Sequence, residues 1–514
     1  MKREDLYNAI TDLKDDQILA GEAPLKQKTQ FKRSRWLVGL AAALALIVGA
    51  AAILPGVLAP KPKDEHLSTN VSPNTPNGPI SGTNVLADHP ALKLCNLSAA
   101  QYPSDLPALT DFVTREELRQ DPNLYAGALQ KQQEALRASL PAEAPGAEMT
   151  SFLNATIPQI LSCEDGENRI YSPLSLYLAL SMLSETVEGE GRSELLALLG
   201  QKDLDTLRAQ CASLWLTNYA DNELVTSILG NSLWLRKGTN YNTDTLERLA
   251  RYYYADSFSG EMGSEDYDRA IAEWIDARTG NLLHDQASAL KTDPSTVLRL
   301  LSTIYLKANW QSPFDEEITD TFHSPQGDKE VTFLTELTED ATLYSAPGFS
   351  AVGKTLMGEG QMLFLLPDEG VRAEDLLQSP EALAFLSSLA GREAADKRNG
   401  PLALSVPQFD VSSEFDLIDN MQKLGVHTIF RAGAADFSPI APENEDLSVS
   451  RIEQDARVKI DRFGCEAAAF TVVDMTEGFL DPNGIVNFTL DRPFVFAITN
   501  AAGLPLFVGV VNQP

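Results

Sequence analysis

The sequence predicts an α+β fold built on large sheets with long connections. Three observations carry this. Apolar residues recur at helical spacing through most of 115–216, strand-like runs alternate with helices between 225 and 310, and the chain beyond 310 is mostly strand. No internal repeat is present, and 514 residues are enough to bury a large core.

Taken in order, residues 1–35 hold eight Lys/Arg against six Asp/Glu and are expected to stay in the cytoplasm. Residues 36–58 carry no charge over 23 residues, enough to span a bilayer with some tilt. Lys26, Lys28, Lys32, Arg33 and Arg35 precede that run, whereas only Lys61 and Lys63 follow it closely. The positive-inside rule therefore orients the bulk of the chain outward, as a single-pass cell-membrane protein. A cleaved signal peptide is the competing reading. Against it stand the long lead of 35 residues and Pro60, directly after the small-residue site at Ala59. The cytoplasm-first arrangement points to a bacterial surface.

Residues 59–87, rich in Pro, Asn, Ser, Thr and Gly, read as a flexible stalk, and 88–112 as irregular with prolines at 90, 103 and 107. Helices are expected over 115–140, 150–161, 172–187, 190–199 and 204–216. A strand at 225–235 is followed by helices at 243–254 and 266–279 and a β-rich run at 297–310. One more helix is expected at 413–424, and strands at 488–490, 494–499 and 506–511 close the chain.

The formal net charge of −31 argues against a nucleic-acid partner, because phosphate binding needs basic patches. Four cysteines (Cys95, Cys163, Cys211, Cys465) form no CxxC and are too few for a disulfide scaffold. The five histidines are scattered without an HExxH, so neither a metal nor a cofactor is expected. Residues 348–355 match the GxxxxGK[ST] spacing of a phosphate loop, but Gly358, Gly360 and a strand follow where a helix must open. That match is chance β-hairpin sequence. No GxSxG and no local Ser or Cys motif with His and Asp partners is present, so the chain is not expected to be an enzyme.

One segment has an unusual face. At period two, Gly464-Cys465-Glu466-Ala467-Ala468-Ala469-Phe470-Thr471 puts Cys465, Ala467, Ala469 and Thr471 on one side, all small. Glu466, Ala468 and Phe470 take the other side. Such a segment can slide between two strands and become a strand itself, because no bulky inner residue clashes. Gly464 supplies a hinge before it.

Further stretches occur in a fixed order: Asn168-Arg169-Ile170-Tyr171-Ser172-Pro173, Leu306-Lys307-Ala308-Asn309-Trp310, Phe364-Leu365-Leu366-Pro367-Asp368, Val406-Pro407-Gln408-Phe409 and Asp491-Arg492-Pro493-Phe494. With the small-faced segment, they resemble the serpin family across roughly 149–514. The resemblance implies three sheets, about nine helices and an exposed reactive-centre loop, with 88–148 an extension preceding or packing on that body. It implies a serine-type endopeptidase inhibitor: a target protease cleaves the loop, is held as an acyl-enzyme, and is displaced as the hinge inserts into the central sheet. A monomer that forms a covalent complex with its target follows. A non-inhibitory surface binding protein is the alternative.

By the same resemblance, Gly464–Thr471 is the hinge, and Asn168, Ser172, Ser175, Trp310, Gln408, Gln454 and Arg462 line the shutter and breach of the sheet. Arg462 and Gln408 stand where the family usually has an acid and a Lys, so the usual gating ion pair is absent. Gln454 replaces the shutter His and is expected to hydrogen-bond Asn168 or Ser175. Counting from the hinge puts the scissile bond at Gly478–Phe479, with Leu480 as the alternative. No Lys or Arg lies between Arg462 and Arg492, which favours elastase-, subtilisin- or chymotrypsin-like targets over trypsin-like ones.

Overall fold

The computed structural model describes residues 89–102, 111–114, 117, 124, 127–128, 131–132, 134–135, 147–161, 166–221, 225–358, 360–443, 447–465 and 484–514. Among them no helix is long and apolar enough to cross a membrane, and the expected span at 36–58 lies outside them.

Backbone pairing produces three sheets. The first contains β1 (Asn96–Ser98), β5 (Ala255–Gly260), β4 (Val225–Arg236), β6 (Leu298–Asn309) and β14 (Gly464–Cys465) in that order, with β3 (Ala220–Asp221) on β4. β4 and β6 run antiparallel from Val225↔Ala308 to Leu235↔Leu298. The second is nine-stranded, in the order β15 (Val486–Thr489), β11 (Asp396–Pro407), β8 (Gly327–Ala346), β9 (Phe349–Thr355), β10 (Gln361–Pro367), β16 (Phe494–Thr499), β17 (Pro505–Val511) and β2 (Arg169–Tyr171). β7 (Glu316–Ser324) hangs on β8. The third is a pair, β12 (Asp410–Asp416) with β13 (Glu453–Lys459).

Twelve α-helices occur among the described residues, against the nine or so that the resemblance implies; short pieces make up the surplus. In chain order they begin with α1 (Pro90–Cys95), α2 (Ala147–Leu161) and α3 (Pro173–Thr186). α4 (Gly189–Leu198), α5 (Leu204–Asn218), α6 (Thr243–Tyr252) and α7 (Glu265–Thr279) follow. Ser172 caps α3 by accepting from the Ser175 amide, Pro173 pre-sets its first turn, and nearly every residue is buried, so α3 is a core helix rather than an amphipathic one. α7 starts at Ser264 with Glu265, Asp266 and Asp268 in its first turn, and ends at Gly280 with φ 57°. Its buried face, with Tyr267, Ile271, Trp274 and Arg278, lies over β4 and β6.

Two expectations are corrected here. Residues 413–416 belong to β12 rather than a helix; Val411, Ser413 and Phe415 alternate with more exposed residues at period two, and a helix starts only at Ile418. Residues 90–98 are not irregular, because Pro90 opens α1 and β1 extends the first sheet by pairing with β5. Leu92 packs there with Trp234, Phe258 and Trp274. Ala100 N donates to Asp256 Oδ1 at 3.0 Å, and the buried Arg278 reaches both Asp256 (3.0 Å) and Tyr102 (3.2 Å). The phosphate-loop match falls on β9, paired antiparallel with β10 over its whole length, as its lack of a following helix requires.

Candidate functional site

Beyond β13 the chain reverses within Asp461–Gly464. Asp461 Oδ1 accepts from the amides of Phe463 (2.7 Å) and Gly464 (3.1 Å), and Asp461 N donates back to Gly464 O at 3.0 Å. The turn is nailed to the end of β6: Trp310 Nε1 donates to Asp461 O at 2.9 Å and Trp310 N to Phe463 O at 2.9 Å. Cys465 then pairs antiparallel with Ala308 of β6 on one side and with Ile460 on the other. Gly464 is required in this position, because a Cβ there would lie 2.5 Å from Ala308 O. No ladder joins β6 to β13 among the described residues. The two residues of β14 lie between Ala308 of β6 and Ile460, just past β13, at one end of these facing edges.

Arg462 bonds the chain that follows β6. Its Nε donates to Phe314 O at 2.9 Å and its Nη2 to Asp315 O, while Phe314 N donates to Arg462 O at 3.1 Å. Gln408 makes a backbone bond to Thr332 at 2.8 Å. A charged pair does occupy this end of the sheet, contributed by other residues. Lys354 of β9 is 5% exposed and bonds Glu336 of β8, 13% exposed, with its ammonium 4.3 Å from the Phe314 ring and 5.6 Å from that of Trp310. Burial pushes the Lys354 ammonium down and the Glu336 carboxyl up, and each partner's charge opposes the shift. The phosphate-loop match drew attention to Lys354 for the wrong chemistry, and no period-two pattern in β9 marks it as buried.

Further along the sheet, Gln454 of β13 grips the start of α3 with both ends of its amide. Ser172 N donates to Oε1 at 3.1 Å, and Nε2 donates to Ser172 O at 2.8 Å. Ser175 Oγ donates to Ser302 O of β6 at 3.2 Å. The N-terminus of α3 thus ties both facing strands from beneath. The expected Gln454 bond to Asn168 or Ser175 is not made, because Ser172 uses both amide groups. Asn168 faces the other way and accepts from Asn512 N (2.7 Å) and Gln513 N (2.9 Å).

A family profile described as Serpin (serine protease inhibitor) matches residues 148–514. The chain belongs to the serpin family. Mouse alpha-1-antitrypsin 1-5 is 29% identical over 361 residues, spanning 68% of this chain and 83% of that one. Among solved structures, the thermophilic serpin tengpin in its native state superposes with TM-score 0.64 at 23% identity, covering 72% of this chain and 96% of its own. Human thyroxine-binding globulin complexed with its ligand gives 0.61 at 23%, covering 71% and 98%.

In this serpin the sequence-derived residues fall into two groups. Trp310, Arg462, Gly464 and Cys465 meet at the turn, and Ser172, Ser175 and Gln454 meet beneath the strands. Asn168 and Gln408 join neither group among the described residues. Glu466, Ala467, Ala468, Ala469, Phe470, Thr471, Gly478, Phe479 and Leu480 lie outside the described residues, as does Cys163. The Cys95 thiol is free and donates to Ala91 O at 3.3 Å.

Sequence reasoning missed a charged cluster at the far end. Arg299 of β6 pairs with Glu453 of β13, and Arg451 Nε binds the same Glu453 at 2.5 Å. Next to them, burial and the Glu414 charge raise Asp455 to about 6 against the pull of Arg299 and Arg451. A carboxyl raised in the folded state favours folding below its ordinary pKa, and that contribution is lost as pH rises through 6. Asp455→Asn is therefore expected to stabilise the protein by ~2–3 kcal/mol at pH 7–8 and by almost nothing at pH 3. Urea unfolding at both pH values checks this.

Proposed function

We propose that this serpin is a suicide inhibitor of elastase-, subtilisin- or chymotrypsin-like serine proteases. The observation that carries the reading is Cys465, paired on both flanks, which aims the small-faced segment between β6 and β13. Continued at the same register, each inner residue meets a suitable pair of neighbours. Ala467 would fall between Leu306 and Val458, Ala469 between Ile304 and Ala456, and Thr471 between Ser302 and Gln454. Thr471 would thereby bring a hydroxyl to the polar point beneath the strands, and the small residues would meet the tight part of the core. A protease acylated near Gly478–Phe479 would be carried about ten residues along the sheet, ~33 Å at strand rise. Its active site would be distorted before the ester could hydrolyse.

Incubating the protein with elastase, subtilisin and trypsin and running denaturing gels tests this. A covalent band is expected with elastase or subtilisin and not with trypsin, because the loop offers no Lys or Arg. Clean cleavage by every protease, with no band, rejects it. That outcome favours the second reading, a non-inhibitory binding protein, for which Arg462 in place of a gating acid is the supporting feature. We further propose residues 36–58 as an uncleaved anchor holding a 149–514 inhibitor domain outside a bacterial cell, with 59–87 as stalk.

A further inference from the structure

Two neighbours hold β13, each by a different force. Its ladder with β12 runs from Asp410↔Lys459 to Asp416↔Glu453. No ladder joins it to β6 among the described residues; the ion pair between Arg299 of β6 and Glu453 of β13 spans that gap instead. Asp455 stands between the two holds. It shares a face of β13 with Glu453, about 7 Å further along the strand, and lies directly opposite Glu414 of β12. Its Oδ1 is buried and has no hydrogen-bond partner among the described residues. Charges surround it from every element packed here. β12 contributes Glu414 and Asp416, β13 itself Glu453 and Arg457, and β6 Arg299. Arg451, just before β13, bonds Glu453 at 2.5 Å and lies 3.9 Å from Glu414, while Arg457 is held by Asp410 at 2.8 Å. From α7, Asp268 acts on Arg299, with Lys291 3.9 Å from its carboxylate.

We propose that Asp455 is a proton-controlled selector that sets how β13 divides its hold between β6 and β12. Ionised, Asp455 places a carboxylate against that of Glu414, a directly opposed like-charge pair that weakens the β12–β13 ladder. The same charge attracts Arg299 and draws β13 toward β6, reinforcing the Glu453 pair. Protonated, it gives up both effects together: the repulsion from β12 vanishes, and Glu453 alone ties β13 to Arg299. One proton thus moves two contacts in opposite directions. The switch works near pH 6, because burial and the Glu414 charge raise the folded carboxyl to about 6 against the pull of Arg299 and Arg451. On the insertion reading above, acid pH then eases the parting of β6 from β13 that a new strand requires; the selector itself stands apart from that reading.

The test follows backbone hydrogen exchange of the intact full chain between pH 5 and pH 8, corrected for the intrinsic rate at each pH. Amides of the β12–β13 ladder are expected to be roughly fivefold better protected at the acid end, with the change centred near pH 6. Asp455→Asn is expected to give the acid level of protection throughout. Glu414→Gln, at an exposed position, is expected to remove most of the pH response. Arg299→Gln is expected to move its centre up by about half a unit, because the ionised form loses an attracting cation. Equal protection at both pH values, or a response that survives Asp455→Asn, overturns the selector. A response unchanged by Glu414→Gln, or a centre unmoved by Arg299→Gln, overturns it as well, since each variant removes one of the two competing charges. The Asp455 and Glu414 variants decide the matter even if Arg299→Gln fails to fold. No protease is used, so failure here is distinct from failure of loop insertion, which the covalent-band assay reads.

Discussion

On the proposed insertion mechanism, replacing Ala467 with Arg is expected to turn the protein from a trap into a substrate. If the chain inserts at the register of Cys465, this position would lie between Leu306 and Val458, which are 8% and 3% exposed and belong to the main core. A guanidinium carried there has no carboxylate to meet and loses its hydration, a penalty of several kcal/mol. Insertion competes with hydrolysis of the acyl-enzyme, so slowing insertion by even ~3 kcal/mol shifts the partition about 100-fold toward cleaved product. The covalent band should disappear while the loop is still cut at the same bond. Ala467→Ser serves as the size control and should retain most of the band. Undiminished trapping by the Arg variant would show that Ala467 never enters the core, and the insertion reading would fall with it.

The elements that were legible in the sequence are those whose local chemistry agrees with their packing. α7 has its Ser cap, its acidic first turn, its apolar stripe and its closing glycine, and all are visible in the chain. β12 was not legible, because Phe415, Ile418 and Met421 recur at helical spacing while Val411, Ser413 and Phe415 alternate; only pairing with β13 decides between them. β1 has three residues and exists only because β5 offers an edge. The same contrast runs through the site. Gly464 is readable, since its place at the turn depends on its having no side chain. The grip of Gln454 on Ser172 joins residues 282 apart, and no local pattern encodes which partner its amide selects. The Lys354–Glu336 pair is the extreme case, for its meaning depends on Trp310 and Phe314 arriving from another part of the chain.

Truncating Lys354 to Met should be the most damaging single change in the folded body near the turn. The substitution keeps the length of the stem but leaves the Glu336 carboxylate buried without its cation. Breaking one partner of such a pair typically costs about 3–5 kcal/mol. Phe314 and Trp310, which pack edge to face 5.7 Å apart against the ammonium, lose their contact with it as well. Because the Trp310 indole and the backbones of Trp310 and Phe314 hold the turn that launches β14, the variant is also expected to loosen that turn. The double variant Lys354→Met with Glu336→Gln removes the stranded charge and should recover most of the loss, so the two changes are strongly non-additive. The pH dependence gives an independent sign. In the single variant Glu336 is raised further by losing its cation, so the deficit is full at pH 8 and shrinks toward pH 4 as the carboxyl takes up a proton. Urea unfolding of wild type, both single variants and the double variant at these two pH values closes the cycle. Additive losses with no pH dependence would mean that the pair is incidental and that the turn is held by the Asp461 and Arg462 hydrogen bonds alone.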